Sequence, residues 1–231
     1  MSDPVAVITG AASGIGAATA ALFSERGWRT AGLDLRPSAT DLSVTCDVTN
    51  APTVGDAIGA IIERFGRVDA AVTAAGYYEE GIDVCEITTA QWDSMLQVLL
   101  GGTVNTCAAV LPHMVASHRG AIVAISSELA LGGSATDLHY VAAKGAVLGL
   151  IKSLAAELAA TPIRVNAVAP GPTDTPLLAP DSLWRKPDYL ATLPLGRLVT
   201  PAEIAATVYY LVTDGRMYCG EVLSPNAGAV I

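Results

Sequence analysis

The 231-residue sequence predicts an α/β fold: one doubly wound domain over residues 1–231, with a seven-stranded parallel sheet and helices on both faces. Three observations predict it. Short apolar runs alternate with longer stretches of helical periodicity along the whole chain. The first of these runs, VAVI at residues 5–8, is apolar throughout, as a strand buried on both faces must be. No composition break, internal repeat or low-complexity linker divides the chain.

Each element follows in order. Residues 5–8 form the first strand, and residues 17–26 carry Ala, Leu and Phe at spacings a helix can bury. WRTAGLDL at 28–35 is the second strand and LSVTCDV at 42–48 the third. Residues 53–65 are helical in pattern, with Val54, Ile58, Ile61, Ile62 and Phe65 on or near one face, and Gly66 stops the helix. Residues 68–72 are the fourth strand and run into Ala74, Ala75 and Gly76. A long helical stretch over about 89–117 is expected to be interrupted at Gly101-Gly102 and at Pro112. Residues 121–125 are the fifth strand, 140–159 an Ala- and Leu-rich helix, and 164–168 the sixth strand. Residues 201–213 are the last helix and 221–224 a short last strand. In such sheets ligands lie at the carboxyl ends of the strands. Gly10 to Gly16, Asp34, Asp47, Gly76, Ser127 and Pro170 all fall there.

Composition sets outer bounds. Thirteen Lys and Arg against 22 Asp and Glu give a formal net charge of −9, with no basic cluster. That argues against nucleic acid, an anionic membrane or an acidic carrier protein as the main partner. The N-terminus does not resemble a signal peptide, and no uninterrupted apolar run approaches the ~18–20 residues of a membrane span. Cys46, Cys85, Cys107 and Cys219 are scattered without metal-ligand spacing, which fits small apolar side chains in a reducing cytoplasm and no metal site.

The densest signal is VAVITGAASGIG at 5–16. Glycines at 10, 14 and 16 let the chain turn sharply and let bare N–H groups approach an anion. The helix N-terminus adds about half a positive charge at the same point. Glycine turns also join strands to helices without a ligand, and the G-x-x-x-G-x-G spacing is not G-x-G-x-x-G. The second strand strengthens the phosphate reading, because it ends in Asp34, 18 residues after Gly16. A carboxylate there suits the adenosine ribose hydroxyls and repels a 2′-phosphate, favouring NAD over NADP. Arg36 is close enough to offset that repulsion.

Tyr140 and Lys144 lie four apart near the start of a helix, so both project from one face. A free phenol, with pKa about 10, is a poor acid–base catalyst at neutral pH. A neighbouring ammonium lowers that pKa, and Ser127, at the end of a strand, can share the same substrate oxygen. The bland alternative is a surface tyrosine packed on a lysine stem.

With the cradle upstream, the sequence resembles the short-chain dehydrogenase/reductase family over essentially its whole length. TGAASGIG at 9–16 matches that family's glycine motif, and Asp34 matches its NAD-selecting acid. Asp47 matches its adenine contact. SSELALGGSATDLHYVAAK at 126–144 matches the serine, the step to tyrosine and the YxxxK; PGPTDT at 170–175 matches PGxxxT, and PLGRLVTPAEIA at 194–205 a common tail segment. The resemblance implies a Rossmann-like fold and an NAD-dependent oxidoreductase that interconverts a secondary alcohol and a ketone. Ser127, Tyr140 and Lys144 are its implied catalytic residues, with Tyr140 as general acid–base. Lys144 would bind the nicotinamide ribose and lower the tyrosine pKa, and Ser127 would position the carbonyl oxygen. The nucleotide would be held by Gly10, Ser13, Gly14, Ile15, Gly16, Asp34, Asp47, Val48, Ala75, Gly76, Tyr140, Lys144, Pro170, Gly171, Thr173 and Thr175. A small-molecule alcohol or ketone as partner, a homo-oligomer (tetramer or dimer) and a cytoplasmic location are also implied.

The sequence departs from the family in two places. Thr73-Ala74-Ala75-Gly76 stands where the family has NNAG, and Leu99 stands where it has a water-holding asparagine. Asn105 is almost two turns further on and no obvious substitute. These departures keep open a catalytically impaired NAD-binding regulator or scaffold. A 3-oxoacyl-carrier-type reductase using NADPH is the other alternative, which Asp34 and the net charge disfavour. His139 is a pocket residue or an idle exposed histidine, and Glu128 a substrate contact or a solvated loop acid. Tyr77 and Tyr78 are either a pocket wall or plain packing. Residues 175–198, rich in Leu, Trp and Tyr between prolines, are expected to form a lid over an apolar substrate, or to dock on the domain or a neighbouring subunit.

Overall fold

The structure, a computed structural model, describes residues 3–230. Seven parallel strands make one sheet in the order β3-β2-β1-β4-β5-β6-β7. They are β1 (Val5–Thr9), β2 (Arg29–Asp34), β3 (Leu42–Thr45), β4 (Ala70–Thr73), β5 (Ala121–Ile125), β6 (Arg164–Val168) and β7 (Val222–Leu223). The order reverses between β1 and β4, and that reversal opens a crevice at the carboxyl ends of the two strands.

Alternate residues of one strand serve opposite layers. Val5 and Val7 join a core with Val54, Ile58 and Ile61 of α2 (Ala51–Phe65), Val110 and Met114 of α4 (Gly102–Ala116), and Val147 and Ile151 of α6 (Leu138–Glu157). Ala6 and Ile8 face the other layer, with Phe23 of α1 (Gly14–Glu25) and Ile204, Val208 and Leu211 of α8 (Pro201–Val212). Phe23 is fully buried and meets Trp28 and Tyr209 edge-on at 5.0 and 5.1 Å. Its burial contributes about 1.5–3 kcal/mol.

Capping sets the helix starts. Asn50 accepts from the Thr53 N–H at 3.2 Å, and Thr88 and Thr200 open capping boxes with Gln91 and Glu203. Gly66 ends α2 in the left-handed region at φ 75°.

One expected feature is overturned. The helical stretch does not break at Gly101-Gly102 or at Pro112. α3 (Thr89–Leu96) passes through a π turn (Gln97–Gly101) directly into α4, which contains Pro112. The π turn absorbs one extra residue without losing the helical path. Gly102 is there for contact rather than for breaking: a Cβ would lie 2.6 Å from Val48 Cγ2. Unbroken, Thr89–Ala116 has the length and mean hydropathy, 1.4, of a membrane span. In the fold it is a layer helix, whose Cys107, Val110 and Met114 pack against the sheet. The third strand also ends earlier than expected, at Thr45, so residues 46–48 turn toward the crevice. Two short helices, α5 (Leu129–Gly132) and α7 (Pro187–Leu190), and a 3₁₀ turn (Leu183–Arg185) carry no sequence periodicity long enough to announce them.

Candidate active site

The crevice deepens into a cleft of about 760 Å³ lined by all the residues predicted to catalyse or to bind cofactor. Its floor at the nucleotide end is backbone. Thr9 Oγ1 accepts from the N–H groups of both Ala74 and Ala75 at 3.1 Å, tying the β4 loop to β1. Gly10, at φ 69°, lies against that loop so closely that a Cβ would be 2.8 Å from Ala74 O. At Gly16 a Cβ would be 2.2 Å from Gly10 O. Ser13, the N-cap of α1, makes no side-chain cap bond, so the first N–H groups of the helix are left open to the cleft. An open helix N-terminus on a turn that admits no side chain fits a pyrophosphate.

Asp34 is held in place at the end of β2. One oxygen accepts from the Ala12 N–H at 3.0 Å and the other from the Arg36 N–H at 3.0 Å. The Arg36 guanidinium instead donates to Ser13 Oγ at 3.2 Å and stands 4.0 Å from Asp34 Oδ1. Asp47 accepts from the Thr49 N–H and hydroxyl at 2.9 and 2.8 Å, and Val48 O accepts from Asn105 Nδ2 at 2.8 Å. Asn105 therefore fastens α4 to the cleft floor and is not free to replace an asparagine at 99. Leu99 is itself 2% exposed and fills the space beneath Gly76, where a Cβ would be 2.7 Å from Leu99 Cδ2.

At the far end β5 delivers Ser126 and Ser127, and α6 delivers Tyr140 and Lys144. Ser126 Oγ donates to Lys144 O at 2.9 Å, and Lys144 Nζ donates to Ile125 O at 2.8 Å, so strand and helix are stitched together. Burial pushes the Lys144 ammonium down to about 8. The expectation that Lys144 lowers the Tyr140 pKa is not met in this structure. Burial pushes the Tyr140 phenol up, the charges of Glu128 and Asp137 add to the rise, and only the Ser127 hydroxyl opposes it. The ammonium is turned to the Ile125 carbonyl and sits 5.8 Å from the centre of the tyrosine ring.

Two side chains left open by the sequence are resolved against its bland readings. Glu128 is not a solvated loop acid: it is 4% exposed and accepts from Ser127 Oγ at 2.9 Å. Burial pushes its carboxyl up to about 7. His139 is not exposed but fully buried, its Nε2 3.4 Å from Glu79 Oε2, and it does not line the cleft.

Tyr78 is a pocket wall. Its ring meets Tyr140 edge-on at 4.9 Å, its hydroxyl donates to Asp137 Oδ1 at 2.9 Å, and Trp184 Nε1 donates to that hydroxyl at 2.9 Å. Trp184 belongs to the segment 175–198, whose Thr175, Pro176, Leu177, Leu178 and Trp184 line the cleft. Arg185 holds the segment in place through Asp174 at 2.6 Å and the carbonyls of Thr175 and Leu178 at 3.0 and 3.2 Å. Pro170, Gly171 and Thr173 form its root. A Cβ on Gly171 would be 2.5 Å from Asn226 Cα, and Thr173 Oγ1 donates to Gly171 O at 2.7 Å. The segment thus lines the cleft and docks on the same domain. Trp184 lies in the segment whose apolar residues the sequence singles out, whereas nothing in the sequence singles out Asp137 beyond its position just ahead of a helical run.

A parallel sheet with a glycine cradle at its switch point, and a serine, tyrosine and lysine beyond it, defines a dinucleotide-dependent oxidoreductase. The sequence model described as enoyl-(acyl carrier protein) reductase matches residues 10–229. A 3-oxoacyl-[acyl-carrier-protein] reductase of Thermotoga maritima is 33% identical over 100% of this chain and 99% of its own. A cis-4-hydroxycyclohexanecarboxylate dehydrogenase of Sinomonas cyclohexanicum is 37% identical, covering 98% of this chain and 96% of its own. The crystal structure of a levodione reductase superposes with a TM-score of 0.92 at 29% identity, over 99% of this chain and 98% of that one. The chain belongs to the short-chain dehydrogenase/reductase family, and is an NAD(P)-dependent enzyme acting on CH–OH donors.

Proposed function

We propose that this protein is an NAD-dependent dehydrogenase of a small secondary alcohol, with Tyr140 as its general acid–base. Asp34 carries the cofactor half of that reading. Its carboxylate is fixed by two backbone N–H groups at the ribose end, while the nearest cation, Arg36, is engaged with Ser13. A 2′-phosphate there meets a fixed negative charge, which supports NAD over NADP. The lining of the other half is aromatic and aliphatic (Tyr77, Tyr78, Leu129, Leu177, Leu178 and Trp184), which supports a compact apolar substrate. Related proteins act on both kinds of substrate, a carrier-bound 3-oxoacyl group and a cyclic hydroxy acid by their names. The net charge of −9 supports the small molecule over an acidic carrier. A homo-oligomer in the cytoplasm is proposed with it, and sedimentation of the full chain tests the first part.

A bound nicotinamide supplies or accepts the hydride. The chain supplies the proton chemistry and the geometry. Tyr140 gives the proton to the substrate oxygen in reduction and takes it in oxidation. Its pushed-up phenol is a proton donor as it stands, and it becomes a base only when positive charge is brought beside it. Lys144 is the chain's own charge on the same helix. Ser127, at the end of β5, orients the substrate oxygen, and residues 175–198 exclude water.

A screen of secondary alcohols and ketones with NAD(H), together with Tyr140→Phe, tests the reading. The variant is expected to lose turnover by at least about a thousandfold and to bind NADH as the wild type does. A variant with near-normal turnover would remove Tyr140 from the mechanism. Buried Leu99 favours a second reading, a nucleotide-binding protein without catalysis; NADH binding with no turnover by the wild type would select it.

A further inference from the structure

The Tyr140 phenol has few neighbours that could take its proton. Its ring packs in an apolar cluster with Met95, Leu99 and Ala143, and Tyr78 meets it edge-on. The Tyr78 hydroxyl is directed away, to Asp137. Lys144 donates its ammonium to Ile125 O at 2.8 Å, and an ammonium has no lone pair to accept with. The hydrogen-bond partner of the phenol among the described residues is the Ser127 hydroxyl. Beyond it, Ser127 Oγ donates to Glu128 Oε2 at 2.9 Å, and Glu128 lines the cleft.

A hydroxyl has one proton to give and two lone pairs to receive. Ser127 uses all three in either direction of this chain. One lone pair takes the Leu129 N–H, at 3.2 Å, throughout. With Tyr140 protonated, the phenol donates to Ser127 and Ser127 donates to the Glu128 carboxylate. With Glu128 protonated, the carboxyl donates to Ser127 and Ser127 donates to the Tyr140 phenolate. The two arrangements differ only in which oxygen holds each proton, so the heavy atoms stay where they are.

We propose that Tyr140, Ser127 and Glu128 form a proton wire in which Glu128 is the acceptor that resets the phenol between turnovers. The proposal rests on Tyr140 as general acid–base. In one passage the Tyr140 O–H bond breaks as a new Oγ–H bond forms, and the original Oγ–H bond breaks as an Oε2–H bond forms. One proton moves from Tyr140 to Glu128, which returns it to water in the cleft; reduction runs the same steps backwards. The proton of the alcohol still goes to Tyr140. The passage comes after it, with the substrate site empty, and does not compete for Ser127 during hydride transfer.

Charge decides when the wire runs. Burial and the charges of Glu128 and Asp137 push the phenol up, so its proton leaves only when positive charge beside the ring lowers it. A proton placed on Glu128 removes one of the two negative charges that oppose this. The titratable groups facing Glu128 are Tyr140 from α6 and Tyr189 from α7, both pushed up by its charge, and no ion pair is made to the carboxyl among the described residues. Burial dominates and brings the carboxyl to about 7, where it can take a proton and release it to neutral water.

Glu128→Gln tests this, since an amide keeps the size and cannot take the proton. The kcat of alcohol oxidation is followed from about pH 5 to 9, with circular dichroism and NADH titration to show that fold and cradle survive. The acceptor works only when ionised, so wild-type oxidation is expected to fall as the pH drops through about 7. In the variant that inflection is lost and oxidation at about pH 8 is slower by about a hundredfold. Imidazole, a base small enough to enter the cleft, restores it in proportion to concentration and leaves the wild type unchanged. A slow variant indifferent to imidazole would make Glu128 a packing residue and overturn the wire. Quicker oxidation, expected of a carboxylate acting only through its charge on Tyr140, would overturn it too. Should the amide not fold, Glu128→Asp gives the same reading: a carboxyl one methylene short of Ser127 slows oxidation, and imidazole restores it. A variant as active as the wild type would overturn the wire alone, whereas a wild type without turnover on any alcohol or ketone would overturn the redox reading with it.

Discussion

The two ends of the cleft are built by different means. At the nucleotide end the working groups are mostly backbone, part of them positioned by chain nearby in sequence, with the β4 loop tied in through Thr9. Asp34 and the Ala12 N–H that fixes it are 22 residues apart, and the open N-terminus of α1 follows directly from β1. At the substrate end the working groups are side chains brought together across the sequence. Trp184 and the Tyr78 hydroxyl it donates to are 106 residues apart, and Asp137 joins them through a third element. The first construction is intolerant of added atoms. The second can exchange a side chain at a time while the sheet beneath stays intact.

The sharpest way to break this comparison is to place one methyl group in the cradle. Gly16→Ala sets a Cβ 2.2 Å from Gly10 O, a distance only a backbone shift can relieve. NADH binding is expected to weaken by at least about a hundredfold, or about 3 kcal/mol. Fluorescence titration measures it, with circular dichroism to show that the sheet survives. Binding within a few-fold of wild type would mean that the turn does not cradle the phosphates.

The same contrast explains what could be read in advance. Strands β1, β2, β5 and β6 were legible because burial on both faces leaves an apolar run no alternative. The glycines at 10, 14 and 16 were legible because close approach of backbone to backbone excludes every other residue. Glu128 was not, because a carboxylate beside a serine reads as a loop acid until the fold removes its water. His139 failed in the same way. The helix through Gly101-Gly102 departs from the sequence expectation, in which glycine and proline read as breaks. A π turn and packing against Val48 and the sheet outweigh their intrinsic cost, about 1 kcal/mol for Gly and about 3 for Pro.

A smaller change sharpens the comparison within the nucleotide end. Asp34→Ser removes the fixed charge and leaves Arg36 beside Ser13. NADH is expected to bind about tenfold more weakly, the loss of a charge-assisted hydrogen bond pair partly replaced by the hydroxyl. NADPH is expected to gain, because the repulsion of its 2′-phosphate has gone. A paired titration with the two nucleotides reads both. An unchanged preference would transfer cofactor selection from Asp34 to Arg36.

The mildest change tests whether the two ends are separable at all. Trp184→Phe deletes one donor, the indole N–H that reaches the Tyr78 hydroxyl at 2.9 Å. The smaller ring can still pack on Tyr189, which Trp184 meets edge-on at 4.8 Å. Tyr78 keeps its bond to Asp137, so no buried group loses its last partner. The net loss is that of one neutral hydrogen bond, about 1 kcal/mol, and KM for the substrate is expected to rise about fivefold. NADH affinity should not move, because the phosphate cradle shares no hydrogen bond with Trp184 among the described residues. If NADH affinity fell together with KM, the covering segment would be coupled to the cradle. The route for such coupling is already visible in the packing of Thr175 against Gly14, where a Cβ would lie 3.2 Å from Thr175 Cγ2.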